Sequence, residues 1–304
     1  MRAIPRLLVA VALLTVAPSG ITSRSISPHE DAANAVTVTV SVIARSTAAP
    51  QLTASGVTVR VDGKMRPVTS LELASITRPV DLIVLIDNAL ARNRENRWDE
   101  LQAFLRAQPV GVPETIAYAD GKAITIAQAS TTDHALAANA VANPAAKSAL
   151  REVLYESVQN LIDSWPSGSG RRVLIFVTRG FPRDYANNGV KPENSLLLQR
   201  LIEDAQRNGV LIYTIHSSPA LANDPNPLTL LATNTGGKGF VTGMEPGPSL
   251  QNFLQEIQNC IERQYSITFS VAPDAKPHFA ALRVAINTKT AELRYPARIY
   301  VTAK

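Results

Sequence analysis

With 304 residues, 45% of them hydrophobic and 18% charged, the chain can form one large or two smaller domains and is too apolar for disorder. Its formal charge of +5 includes Arg2 and Arg6 of an N-terminal segment, and no basic run is interleaved with aromatics, so nothing argues for a nucleic-acid partner. Cys260 is the single cysteine, which excludes an intramolecular disulfide.

Residues 1–23 read as an export signal: Arg2 and Arg6, an apolar core from Leu7 to Val16, then small residues at Ala17 and Ser19 that suit cleavage within 17–23. The apolar run is short for a membrane span, although an uncleaved anchor is the alternative. The mature chain is then secreted or periplasmic, with no span of its own. Residues 24–35 are polar and form a loose N-terminus.

Residues 36–77 make a β segment. Val36 to Val42 and Val57 to Val61 alternate with period two, and Asp62-Gly63 turns the chain into a further strand around Pro67 to Leu73. The pattern then changes. Leu82 to Ile86 is a continuous branched apolar run, as expected of a strand buried on both faces, and it ends on a carboxylate, Asp87. In open α/β sheets ligands bind beyond the carboxyl ends of the strands, which puts Asp87 on the functional rim.

A helix is predicted over 94–107, a hairpin across Asp120-Gly121, and an N-cap at Asp133. A long amphipathic helix follows, Ala145 to Trp165. Val173 to Val177 and Val210 to Ile215 are two more apolar strands, separated by a helix from Ser195 to Arg207. A short helix near Leu228, a short strand near Phe240 and a helix with Cys260 on its apolar face close this region. Residues 78–263 are therefore an α/β domain: a doubly wound, mostly parallel sheet with one antiparallel edge strand. Residues 264–304 return to alternating strands, Tyr265 to Val271, Leu282 to Ile286 and Leu293 to Val301. The two β segments are expected to form one small antiparallel unit; three separate modules is the alternative.

This order resembles the von Willebrand factor type A domain, and more closely the exported bacterial "VWFA-related" family described from Acidobacteria. The residues that carry the likeness are Val59 to Lys64, Asp81 to Asp87, Thr131-Thr132-Asp133, Arg171 to Gly180, Val210 to Ile215, Leu231 to Gly237, Gln264 to Phe269 and Arg298-Ile299-Tyr300. They span nearly the whole mature chain. The resemblance implies a divalent metal held at the strand tips by an Asp-x-Ser-x-Ser loop, a threonine and a distant aspartate. The first aspartate matches Asp87, but the serine positions hold Ala89 and Ala91. Thr131, with Thr132 as neighbour, matches the threonine, and the distant aspartate is replaced by Arg179. Alanine has no side-chain oxygen and a guanidinium repels a cation, so the metal site is expected to be degenerate, with no cofactor.

Asp87 and Arg179 are expected to pair, Arg179 supplying the charge a metal would supply, or else to be solvated remnants. Arg92, Arg94, Arg97 and Arg183 form either a basic rim for an acidic protein partner or a solvated face offset by Glu95, Asp99 and Glu100. The histidines are scattered, and Ser167 to Gly170 precedes a strand, the wrong order for a phosphate cradle. The expectation is a non-enzymatic protein-interaction module binding through the Asp87/Arg179 face. The alternative is an α/β hydrolase using Asp87, His216 and a rim serine, Ser217 or Ser218.

Overall fold

The computed structural model describes residues 34–44, 50–92, 97–120, 123–142, 154–166, 168, 170–181, 194–217, 226–242 and 249–303, without the side chains of residues 34, 75, 76, 91 and 92. The predicted export signal, the glycine of the Asp120-Gly121 turn and the first part of the predicted 145–165 helix lie outside them. All described residues belong to one compact unit, Ala32–Lys304.

Strands β1 (Asn34–Ala44), β2 (Val57–Val61), β3 (Lys64–Arg66) and β4 (Val68–Leu73) come first, then a single helical turn, α1 (Ala74–Thr77). The α/β region runs β5 (Val80–Asp87), α2 (Trp98–Arg106), β6 (Glu114–Asp120), β7 (Ala123–Thr131), α3 (His134–Asn139), α4 (Leu154–Ser164), β8 (Arg171–Thr178), α5 (Leu196–Arg207), β9 (Val210–His216), α6 (Asn226–Thr235), β10 (Gly239–Val241) and α7 (Gln251–Glu262). The chain ends with β11 (Gln264–Val271), β12 (His278–Ile286), β13 (Ala291–Arg294) and β14 (Arg298–Val301).

The central sheet has the order β10-β9-β8-β5-β6-β7, parallel except for β7. β5 is interior, as its apolar run requires. Leu82, Val84 and Ile86 pack on one face with α2 and α7, while Ile83 and Leu85 pack on the other with α4, α5 and α6. Central strand, helix, antiparallel hairpin, helices and three strand–helix units succeed one another in the order expected from the sequence. Gly236 lets the chain leave α6 at a φ of 91°, and Gly237 lies against β9 so closely that a Cβ would fall 2.0 Å from the Ile212 carbonyl oxygen.

Strands from both ends of the chain combine into two four-stranded sheets, β13-β1-β11-β4 and β14-β12-β2-β3, which share a second core around Val40, Val59, Phe269 and Leu282. The β2–β3 hairpin turns on Asp62 and Gly63, both at positive φ. The single strand predicted over Leu293–Val301 is a correction: Pro296 lies in the break between β13 and β14, and the chain changes sheet there. Pro67 separates β3 from β4 with the same result. A proline has no N–H for the ladder, so each break is where one sheet can hand the chain to the other.

At the lower end of the central sheet, where β6 begins, Glu114 is fully buried and its Oε2 lies 2.8 Å from His134 Nδ1. Burial pushes the Glu114 carboxyl up to about 7, against the opposing pull of His134. The unfolded chain releases this proton near the ordinary carboxylate value of 4.5, so between these limits the folded state holds more protons. Stability should therefore fall as pH rises from about 5 to about 8, and Glu114→Gln should make that slope shallower. Urea unfolding across this range checks it; an unchanged slope in the variant contradicts it.

Candidate strand-tip site

β5 ends at Asp87, β8 at Thr178 and β9 at His216, side by side at the upper edge of the sheet. Asp87 is only 3% exposed. Its Oδ1 accepts a hydrogen bond from the Ala89 amide at 2.8 Å, and its Oδ2 accepts from the Thr178 hydroxyl at 2.9 Å and the Arg179 amide at 3.2 Å. Burial pushes the Asp87 carboxyl upward; the Ala89 amide, the Thr178 hydroxyl, the Arg179 amide and last the Arg179 charge pull it back.

The expected Asp87–Arg179 pair is corrected in kind. It is the main chain of Arg179, more than its guanidinium, that holds the carboxylate. The guanidinium reaches the Ala89 carbonyl oxygen at 3.4 Å, and its charge is the weakest of the influences on Asp87. The Arg179 carbonyl accepts a hydrogen bond from His216 Nε2 at 2.9 Å, so that nitrogen carries a proton. The main chain of Arg179 thus joins the tips of β5, β8 and β9, its amide bonded to Asp87 and its carbonyl to His216.

The turn after β8 is fastened twice more. The Thr178 hydroxyl, which donates to Asp87, accepts from the Gly180 amide at 3.0 Å, and Gly180 has a φ of 99°. Phe181 is then buried, stacked on Tyr155 with ring centroids 3.9 Å apart. On the other side, the Ser217 amide donates to the Thr178 carbonyl at 2.8 Å, and Thr242 donates to the His216 carbonyl through both amide and hydroxyl. Sequence reasoning named Asp87, Arg179 and His216 but passed over Thr178. A hydroxyl ending an apolar strand needs a partner once buried, and that was the available signal.

Thr131 and Thr132 do not join this site. Thr131 pairs with Glu114, whereas Asp87 pairs with Ala119, five residues further along β6 and about 16 Å away along the strand. The antiparallel direction of β7 carries its C-terminal end to the opposite edge of the sheet. There the Thr131 hydroxyl accepts from the Asp133 amide, and Asp133 caps α3 as expected. Arg94, Arg183 and Ser218, with the side chains of Ala91 and Arg92, lie outside the described residues. Arg97 contacts Asp99 at 3.4 Å and Glu100 at 3.0 Å, while Glu100 also caps α7 through the amides of Leu250 and Gln251.

A divalent cation wants several oxygen ligands. At the positions the fold family uses, Ala89 offers no side-chain oxygen, Arg179 brings a positive charge, and Asp87 already accepts three protein hydrogen bonds. This donor set does not fit a metal.

No protein-family profile matches the chain, and no curated protein matches it. Among solved structures it is similar to a von Willebrand factor type A protein from Catenulispora acidiphila, at 11% identity and a TM-score of 0.43, over 90% of this chain and 74% of that one. It is also similar to the ArnB paralog VWA2 from Sulfolobus acidocaldarius, at 10% identity and a TM-score of 0.40, over 89% of this chain and 76% of that one. A third is the vWF domain of the type V pili tip protein Mfa5 from Porphyromonas gingivalis, at 15% identity and a TM-score of 0.40, over 60% and 95%.

Hydrogen bonds to a buried carboxylate are worth about 1.5–3 kcal/mol each. Thr178→Val removes one from Asp87 and should destabilise the fold by about that amount. Arg179→Ala keeps the amide donor and should cost less than about 1 kcal/mol. Urea unfolding of both variants decides; a larger loss in Arg179→Ala means that the guanidinium, not the peptide group, is the true partner.

Proposed function

We propose that this chain is an exported, non-enzymatic protein-interaction module whose strand-tip face works without a metal. The observation that carries this reading is the three protein hydrogen bonds that Asp87 accepts. In a metal-dependent face of this fold the carboxylate must be free to take part in an open coordination sphere; here it is turned inward as a structural clasp. Of the remnant metal positions, Asp87, Ala89 and Arg179 then hold the rim in shape rather than bind through it.

What remains for a partner is the outer surface of that rim. Leu196 and Leu197, at the start of α5, are 68% and 42% exposed, and Val241, at the end of β10, is 48% exposed. The direction of the parallel strands puts all three at the Asp87 end of the sheet. Exposed apolar side chains at the same end of the sheet as a half-buried arginine suit an interaction face. An acidic partner suits Arg179 together with Arg92, Arg94 and Arg183.

The hydrolase alternative loses support from the same contacts. His216 Nε2 donates to a main-chain carbonyl, and the bonds that hold Asp87 come from Thr178, Ala89 and Arg179 rather than from the imidazole. Export rests on residues 1–23, and the arrangement we favour has residues 36–77 and 264–304 forming a β unit around an α/β domain at 78–263. Among the described residues no helix is long and apolar enough to cross a membrane.

Ligands that bind only the native state raise its stability with the logarithm of concentration over Kd. Millimolar magnesium, calcium or manganese should leave the melting temperature of the purified chain unchanged. Capture of partner proteins should persist in a chelator and weaken in Leu196→Asp/Leu197→Asp. A dose-dependent rise in melting temperature that Asp87→Ala abolishes, or capture lost on chelation, contradicts the reading.

A further inference from the structure

A cavity of about 320 Å³ opens at the end of the molecule opposite Asp87, where the β sheets of the chain ends meet the lower edge of the central sheet. Among the described residues four arginines line it, Arg78, Arg171, Arg207 and Arg298, and no aspartate or glutamate does. The volume is that of a small-ligand pocket.

Arg171, the first residue of β8, is 3% exposed. Its Nε donates to the Arg78 carbonyl at 2.8 Å; its Nη1 donates to the Ile261 carbonyl at 2.8 Å and to Gln264 Oε1. These are neutral oxygens, although Ile261 lies in the last turn of α7, whose dipole gives partial compensation. Nη2 donates to none of the described residues. Burial, reinforced by the charge of Arg78, lowers the Arg171 pKa to about 10. Clamping α7 to β8 explains one buried arginine. It does not explain three further arginines around the same space.

Two of those three are held in place before any ligand arrives. The Arg207 guanidinium lies 4.8 Å from the Tyr300 ring centroid and 5.5 Å from that of Phe279, and the Arg298 guanidinium lies 5.0 Å from Phe279. Asp204 and Glu203 contact them at 3.2 and 3.3 Å, outside the lining. Two cations therefore share one aromatic ring, an arrangement that fixes guanidinium planes while concentrating positive charge.

Two open strand edges complete the cavity. β13 covers β1 only at Ser41–Ala44, so Val36 to Thr39 meet the cavity along an edge that no other described strand covers. β14, which contributes Ile299 and Tyr300, is the outermost strand of its sheet. Open edges offer main-chain donors and acceptors to an extended ligand, and Val36, Val38 and Ile299 offer apolar wall.

We propose that this cavity binds a carboxylate on a short extended organic chain, either a free dicarboxylate or the C-terminal carboxylate of a peptide, with Arg171, Arg207 and Arg298 as its cationic ligands. Planar guanidinium forks match a carboxylate in two-pronged geometry, and the edges and apolar wall take the chain behind it.

Calorimetric titration of the purified chain with succinate, with a tripeptide bearing a free C-terminus, with the same tripeptide amidated, and with inorganic phosphate tests this. Succinate or the free-acid tripeptide should bind saturably, and which of them binds tells the two sources apart. The amidated tripeptide should bind about tenfold more weakly or not at all, because a charge-assisted hydrogen bond is lost. Arg207→Gln and Arg298→Gln, each checked for folding by circular dichroism, should each weaken binding about tenfold; both lie nearer the surface than Arg171 and keep the test intact if Arg171→Gln does not fold. No saturable binding of either carboxylate, binding of phosphate alone, or unchanged affinity in the folded variants overturns the proposal.

Discussion

A carboxylate buried at the tip of a central strand must be satisfied, and the upper half of this molecule is arranged around that requirement. An ionised Asp87 without partners would cost several kcal/mol. Its three donors come from two different strand exits, the Ala89 amide just past β5 and the Thr178–Arg179 pair at the end of β8. Meeting that demand fixes how the chain leaves β8, and this turn in turn seats Phe181 against Tyr155 and offers a carbonyl to His216. Two main-chain amides and a hydroxyl balance the carboxylate in this chain.

The lower half follows a different rule. Two β segments far apart in sequence must bury their apolar faces together, because short isolated antiparallel units are marginal. Pro67 and Pro296 let the chain cross from one sheet to the other, so each segment contributes to both. Arg171 ties this end to the central sheet through α7, and Gln264, at the start of β11, reaches Ser41 on β1 as well as Arg171. The positive cavity lies along this junction, remote from the clasp. The two ends of the sheet therefore carry different chemistry, a closed polar network above and concentrated arginine charge below.

Much of the fold was legible because it rests on local periodicity. Leu82 to Ile86 could be recognised as an interior strand from its unbroken apolar run, and Asp133 as a cap from its place before a helical stretch. That Ala89 and Ala91 carry no side-chain oxygen and that Arg179 carries a charge was equally plain. Misplacing Thr131 had a specific cause: its motif fitted the resemblance, but the antiparallel direction of β7 determines which end of the sheet it reaches. Thr178 escaped notice because only burial, a tertiary property, makes its hydroxyl matter. Charge also misled at Arg179, where side-chain chemistry drew attention and the main-chain amide holds Asp87. The arginine cavity was invisible for a plainer reason, since residues 78, 171, 207 and 298 meet only once the domain has folded.

On the function proposed above, Asp87 serves the protein's own hydrogen-bond network and holds no metal. The most direct measurement is anomalous diffraction from crystals of the chain grown in excess manganese. No anomalous peak is expected at the strand tips, with the Asp87 carboxylate still bonded to the Thr178 hydroxyl and to the Ala89 and Arg179 amides. A manganese ion coordinated by Asp87, with Thr178 turned away, would contradict it.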